Sequence, residues 1–268
     1  MGRLAGKVAV ITGGAKGIGE GIARRFSEEG AYVAIADIDE RAGRETAREL
    51  GERADFYHCD VKQEEQVAEV INCTVESKGQ IDCMVNNAGY DGVTLEIAEL
   101  SSEEFMDLLS VHLVSVFYGM KHAAKQMIAQ QSGSIINISS VAGLWAGYGN
   151  HAYSAAKAGV NHITKTASME LGRYDIRVNA ICPGGILTSI LGNVDLEKVK
   201  EIFSGFQPIH RSGTVEDVSG AALFLASDDS SYVSGQLLGV EGGLTTGRKW
   251  EDFLGVVQQF RDLRSEGK

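Results

Sequence analysis

The sequence predicts an α/β chain whose strands form one doubly wound parallel sheet with helices on both faces. Three observations carry that prediction. Short apolar runs rich in Val, Ile and Ala alternate with helical stretches along the chain. The first run, Lys7-Val-Ala-Val-Ile-Thr12, leads through a glycine-rich turn directly into a helix. The length, 268 residues, suits one α/β domain.

Composition narrows the partners. With 44% hydrophobic and 23% charged residues the chain is globular, and its formal charge of −11 makes nucleic acid and anionic membranes poor partners. No twenty-residue apolar run occurs, and the start MGRLAGKVAVITGG lacks a signal-peptide layout, so a cytoplasmic protein is expected. Cys59, Cys73, Cys83 and Cys182 are scattered without metal-ligand spacing and read as reduced thiols.

The first strand opens into Thr12-Gly13-Gly14-Ala15-Lys16-Gly17-Ile18-Gly19, followed by a helix over Glu20–Glu29. Such a turn brings backbone N–H groups and the helix dipole to a pyrophosphate. A tight turn that simply needs glycine is the plainer explanation. The spacing is G-x-x-x-G-x-G, not the longer G-x-G-x-x-G form. Tyr32–Ala36 is a second strand ending at Asp37, eighteen residues after Gly19, close to the spacing of a carboxylate that binds adenosine ribose hydroxyls. Asp39 is placed to cap a helix over Glu40–Leu50. The run Ala54–Cys59 ends at Asp60 and Val61, before a helix over Lys62–Lys78 that Asp60 is also placed to cap. Ile81–Val85 runs into Asn86-Asn87-Ala88-Gly89, where asparagine side chains hold a turn. Ser101–Gln131 reads as a helix with a kink or break, started by a Ser101/Glu104 capping box and carrying His112 inside it.

The chemistry concentrates in Ser139–Lys157. The apolar run Ser134–Ser139 ends at Ser140, at the carboxyl end of a buried strand, where open α/β sheets bind ligands. Tyr153 and Lys157 are four apart and share one helix face. An ammonium beside a phenol favours the phenolate and lowers a pKa that starts near ~10. That helix runs over Ala152–Leu171, and a strand over Ile176–Cys182 leads into Pro183-Gly184-Gly185-Ile186-Leu187-Thr188. Ser189–Gln207 is a candidate lid whose apolar residues are Ile190, Leu191, Phe203 and Phe206. Val215–Ala226 is a helix capped by Thr214, and Gln236–Val240 is the last strand.

The Ser140, Tyr153 and Lys157 spacing, the TGxxxGxG turn, the NNAG tetrapeptide and the PGxxxT loop together resemble the short-chain dehydrogenase/reductase family over about residues 4 to 244. The resemblance implies a Rossmann-like sheet of seven strands in the order 3-2-1-4-5-6-7. It implies NAD-linked hydride transfer between a secondary alcohol and its ketone, with Tyr153 as acid/base, Lys157 lowering its pKa and holding the nicotinamide ribose, and Ser140 orienting the substrate oxygen. It places the cofactor on Gly13, Lys16, Gly17, Ile18 and Gly19, on Asp37 and Ile38, on Asp60 and Val61 near the adenine, on Asn87, Ala88 and Gly89, and on Pro183, Gly184, Ile186 and Thr188 near the carboxamide. Lys16 stands where a basic residue in the family can favour NADP; Asp37 points to NAD. His112 departs from the pattern: the family has an Asn there, a fourth catalytic residue, whose main-chain carbonyl at a helix irregularity holds a water. His112 is therefore either a packed imidazole or a proton station.

The segment between Ser140 and Tyr153 lines the pocket in this family, so Leu144, Trp145, Tyr148 and His151, with Leu191 from the lid, suggest a compact apolar substrate, cyclic or terpenoid-like. Trp145 and Tyr148 also suit a surface or subunit contact. Residues 245–268 form a tail in which Phe253, Val257 and Phe260 have helical spacing, expected to dock on its own or a neighbouring subunit. Ala155, Ala156, Ala158, Val160, Ile163 and Ala167 suggest a helix–helix interface, and the resemblance implies a homotetramer. A thioester reductase of the same family and a non-catalytic dinucleotide-binding protein are the alternatives; Asp37 with the acidic charge opposes the first, and the intact trio opposes the second.

Overall fold

The computed structural model describes residues 2–188, 196–247 and 250–266. The strands are β1 (Val8–Thr12), β2 (Tyr32–Asp37), β3 (Ala54–His58), β4 (Cys83–Asn86), β5 (Gly133–Ile138), β6 (Ile176–Pro183) and β7 (Leu237–Val240). They form one sheet in the order β3-β2-β1-β4-β5-β6-β7, every pair parallel. The helices are α1 (Gly17–Glu28), α2 (Glu40–Leu50), α3 (Glu64–Lys78), α4 (Ser102–Leu109), α5 (Ser115–Gln130), α6 (His151–Leu171), α7 (Leu196–Phe206), α8 (Val215–Ala226) and α9 (Trp250–Glu266).

The strands are apolar at successive positions because both sheet faces are covered. In β1, Ala9 and Ile11 pack into the layer of α1 and α8, with Ile22, Phe26, Val218 and Leu223. Val10 points the other way, into the layer of α3, α5 and α6, with Ile71, Met120 and Val160. The period of two in a pleated strand makes this division unavoidable. Each large side chain so buried contributes about 1.5–3 kcal/mol.

Caps set several helix ends. Asp39 accepts from the Ala42 N–H at 3.0 Å, and the Ser101/Glu104 capping box forms as expected. Thr214 and Asp217 form a second capping box at the start of α8. Other boundaries move. Helix α3 starts at Glu64, because Asp60 spends its side chain on the Lys62 N–H (3.0 Å) in the preceding turn instead of capping the helix. Asn150, accepting from Tyr153 N–H at 2.9 Å, starts α6 one residue earlier than the sequence suggests. The stretch 101–131 is α4 and α5 joined by a π-helical turn over Ser110–Val114.

The tail is helical in α9. Of its apolar residues Trp250, Phe253 and Leu254 are exposed, and Val257 is partly covered. Ile190, Leu191 and the rest of 189–195 lie outside the described residues, as do the side chains of Phe203, Phe206 and Phe260. Among the described residues no helix is long and apolar enough to cross a membrane, and no group of His, Cys, Asp and Glu is arranged to hold a metal.

Candidate active site

β1 and β4 are neighbours, and from them the chain winds outward in opposite directions. The crevice at the carboxyl ends of the strands there is where open α/β sheets take ligands. Thr12 ends β1, and its hydroxyl accepts from the Asn87 and Ala88 N–H groups at 3.0 and 3.2 Å. The Asn87 amide donates back to the Thr12 and Gly13 carbonyls, both at 3.0 Å. Asn87 therefore rivets the end of β4 to the glycine turn. Gly19 completes the close approach: a Cβ there would lie 2.0 Å from the Gly13 carbonyl oxygen and 2.5 Å from Asn87 Nδ2. The N-cap of α1, Lys16, makes no side-chain cap, so the first N–H groups of that helix, from Gly17 and Ile18 onward, are without a side-chain partner there.

Two carboxylates, Asp37 and Asp39, stand at the end of β2 and just after it. Asp37 accepts from the Ala15 N–H at 3.0 Å and the Asp39 N–H at 2.9 Å, which fixes its orientation at the end of β2. Lys16 is held by Asp39 at 2.6 Å, and the hydrogen bonds of Ala42 and Lys16 hold the Asp39 carboxyl below its usual value. Ile38 is 64% exposed beside this pair. The Val61 side chain is buried in the core with residues of α3, which leaves its backbone, beside Asp60, on the side of the expected adenine.

Ser140, Tyr153 and Lys157 come together at the end of β5. Ser140 Oγ accepts from the Ala142 N–H at 3.1 Å, and the Ser140 hydroxyl is near enough to the Tyr153 phenol to favour its ionised form. Lys157 is buried, donates to the Ile138 carbonyl at 2.7 Å and lies 5.5 Å from the Tyr153 ring centre. Burial pushes Lys157 down to about 8. The expected lowering of Tyr153 by Lys157 is not what governs the phenol. Burial holds Tyr153 above its ordinary value, the Ser140 hydroxyl opposes that, and Asp91 and Cys182 add to it. The ammonium is turned to a carbonyl at the end of β5. Sequence reasoning missed three supports: Asn161 donates to the Gly143 carbonyl at 3.0 Å, Ser139 to the Lys157 carbonyl at 3.2 Å, and Asn137 joins Asn86 at 2.8 Å to Thr164 at 2.9 Å. Asparagine and serine inside α6 and near the ends of β4 and β5 carry no spacing signal that reveals these pairings.

The loop after β6 lies beside this trio. Gly184 donates to the Val240 carbonyl at 3.0 Å, and Ile186 bridges to Gly213. Pro183 ends β6, and Thr188 is partly buried. Leu144, Trp145 and Tyr148 are exposed at 37%, 47% and 38%. His151 lines a cleft of about 370 Å³ with Thr94, Leu95, Glu96, Glu99, Gly149 and Asn150.

His112 is 2% exposed in the π-helical turn. Burial, then the Lys157 ammonium, push its imidazole down to about 4. The unfolded chain, with an ordinary pKa near ~6.5, binds the proton first. This term stabilises the fold above about pH 6.5 and is lost as pH falls through about 4, a span worth up to about 3 kcal/mol. Denaturant midpoints at pH 7 and pH 4.5 are expected to converge in His112→Asn relative to wild type. Equal acid sensitivity of the two proteins would refute the assignment.

A sheet of this winding with a glycine-rich turn at its switch point is the architecture of dinucleotide-binding α/β proteins. Residues 13–245 match the family model described as Enoyl-(Acyl carrier protein) reductase. Momilactone A synthase of Oryza sativa subsp. japonica is 42% identical over 250 residues, 91% of each chain. (+)-Borneol dehydrogenase 2 of Salvia officinalis is 40% identical over 257 residues, again 91% of each. The crystal structure of levodione reductase superposes with a TM-score of 0.86 at 32% identity, covering 91% of this chain and 100% of that one. The chain belongs to the short-chain dehydrogenase/reductase family, and it is an oxidoreductase of the secondary alcohol–ketone class using a nicotinamide dinucleotide.

Proposed function

We propose that the enzyme is an NAD-dependent dehydrogenase and ketoreductase acting on a compact, apolar secondary alcohol of cyclic or terpenoid-like shape. The observation that carries this reading is the convergence of Ser140, Tyr153 and Lys157 at the end of β5, two strands along the sheet from β1 and the uncapped start of α1. The residues fit the dinucleotide: a cradle at Gly19 that a single Cβ would fill, and a carboxylate, Asp37, held at the end of β2. When bound, the cofactor carries the hydride and, oxidised, a positive charge. Ser140 holds the substrate oxygen. In reduction Tyr153 donates its proton to that oxygen, and its burial keeps it in the donating form. In oxidation it accepts the proton as phenolate, which nearby positive charge favours. Lys157 holds the nicotinamide ribose and supplies a buried positive charge next to the phenol.

The exposed apolar side chains of Leu144, Trp145 and Tyr148 between Ser140 and Tyr153, together with relatives named for borneol and momilactone A, support the apolar substrate. A carrier-bound thioester would want a basic entrance for its acidic carrier; here Glu96 and Glu99 line the cleft and the chain carries a charge of −11. The test is a panel of secondary alcohols, (+)-borneol included, assayed with NAD by absorbance of the reduced nicotinamide. Turnover of acyl thioesters with none on the alcohols would overturn the reading.

The same reading includes a cytoplasmic homotetramer. Of the α6 residues expected at an interface, Ala156 and Val160 are consumed by the subunit core, and Ile163 and Ala167 pack against it. Ala155 and Ala158 face outward, and Phe117 and Met169 are exposed at 44% and 85% on α5 and α6. That apolar surface on neighbouring helices supports a helix–helix contact between subunits. Light scattering at micromolar concentration should give about four times the 28.7 kDa chain mass; a monomeric mass would refute it.

A further inference from the structure

We propose that His112 is a positioning residue for the reaction: one imidazole seats the Tyr153 ring edge-on and at the same time ties down the backbone of the loop after β4 through the Tyr90 carbonyl. The inference rests on the assignment of Tyr153 as acid/base.

The geometry begins with the π-helical turn between α4 and α5, a widened turn of the kind that recurs at functional sites. It places His112 where three neighbours meet it. Its Nε2 lies 2.8 Å from the Tyr90 carbonyl oxygen. A carbonyl only accepts, so Nε2 carries the proton and Nδ1 is left an acceptor. Its ring meets the Tyr153 ring at 4.9 Å between centres and 84° between planes, an edge-to-face contact. Its third neighbour is bare backbone: a Cβ on Gly89 would come within 2.4 Å of His112 Cε1 and 2.7 Å of Nδ1. The ring therefore occupies the space that a side chain at 89 would need.

The tie reaches further through Tyr90. The Tyr90 phenol donates to the Asp107 carboxylate on α4, and Lys62 bonds the same carboxylate at 3.1 Å. Tyr90 is thus anchored by its backbone on the π-turn and by its phenol on α4. Leu95, Glu96 and Glu99 further along that loop line the cleft opposite His151. An Asn at 112 is too short to hold the Tyr90 carbonyl and flank the Tyr153 ring together. A proton-carrying role fits poorly with these contacts. The one N–H is committed to a carbonyl that cannot take its proton, and Nδ1 has no protein partner. The charged or titratable groups facing the ring are Lys157 and Tyr153 from α6, with Tyr90 from the loop and Asp107 behind it. Burial among them keeps the imidazole neutral through the working pH range.

Two substitutions separate the two arms. His112→Phe keeps an aromatic edge on Tyr153 and removes the donor to Tyr90. His112→Asn keeps a polar side chain and removes the ring. Measured with NAD and a secondary alcohol, the Phe variant is expected to raise KM for the alcohol about ten-fold, with kcat falling less than about three-fold. Amide hydrogen exchange over 88–100 should quicken in the same variant. The Asn variant is expected to lower kcat about ten-fold or more and to displace the Tyr153 ionisation in the pH–rate profile. Melting temperatures of both variants identify loss of fold. The proposal is overturned if loop exchange, KM and kcat all match wild type in both variants. It is overturned equally if only stability changes, or if wild type shows an ionisation near ~6.5 that both variants lack, which would make His112 a proton station. Absence of wild-type turnover on any secondary alcohol would instead defeat the functional reading; the exchange of the loop would still decide whether His112 ties it.

Discussion

Tyr153→Phe is expected to lower kcat about a hundred-fold or more while the affinity for NAD stays within about three-fold. The substitution removes one oxygen. That oxygen is the proposed proton carrier, near Ser140 and set against the buried Lys157. The dinucleotide cradle is built elsewhere, from Thr12, Asn87 and the glycine turn, and none of its hydrogen bonds uses the phenol. Phe also preserves the edge contact with His112. A positioned acid or base is worth ~10²–10⁴ in rate. A variant retaining more than about a tenth of the wild-type rate at saturating substrate would show that another group moves the proton. Ser140→Ala should lower kcat in the same direction, since the substrate oxygen loses its partner.

NAD should exceed NADP by about ten-fold or more in kcat/KM, and Asp37→Ser combined with Asp39→Asn should erase that preference. The sequence sets a basic residue, Lys16, against an acidic one, Asp37, with opposite implications for a ribose 2′-phosphate. Lys16 is already paired with Asp39 at 2.6 Å, so on the proposed cofactor placement a ribose 2′-phosphate would meet two carboxylates and one engaged ammonium. A unit charge pair at 4 Å is worth about 4 kcal/mol at an effective dielectric of ~20, and half of that gives the expected discrimination. Lys16 and Asp39 are both solvent-exposed, so the pair itself contributes little stability. Its effect is on selectivity. Replacing both acids frees Lys16 to meet the extra phosphate. Comparable efficiency with NADP in the wild type would remove Asp37 from the cofactor site.

Much of the site was legible because chemistry and spacing coincide in the chain. Tyr153 and Lys157 must share a face once their segment is helical, and Asp37 must end β2 once the apolar run before it is a strand. The same local logic found the Asp39 and Thr214 caps and the Ser101 box, which need only neighbours in sequence. The start of helix α3 was misjudged for the opposite reason. Whether Asp60 caps a helix or closes a turn depends on what packs around it from α3.

The sequence by itself determined the alternation of strands and helices, the glycine turn, and the identity and order of the proposed catalytic groups. These follow from short-range sterics, from side-chain period and from which residues ionise or donate. Only the tertiary structure decided how those groups are electrically set. Lys157 turns to the Ile138 carbonyl 2.7 Å away, and burial holds Tyr153 above its ordinary value. Lys16 is claimed by Asp39 across 23 residues. His112 meets Tyr90 across 22 residues and Tyr153 through the packing of the π-helical turn on α6. Charge and hydrogen bonding depend on distance in space and on exclusion of water, and neither is written in the spacing of residues along a chain.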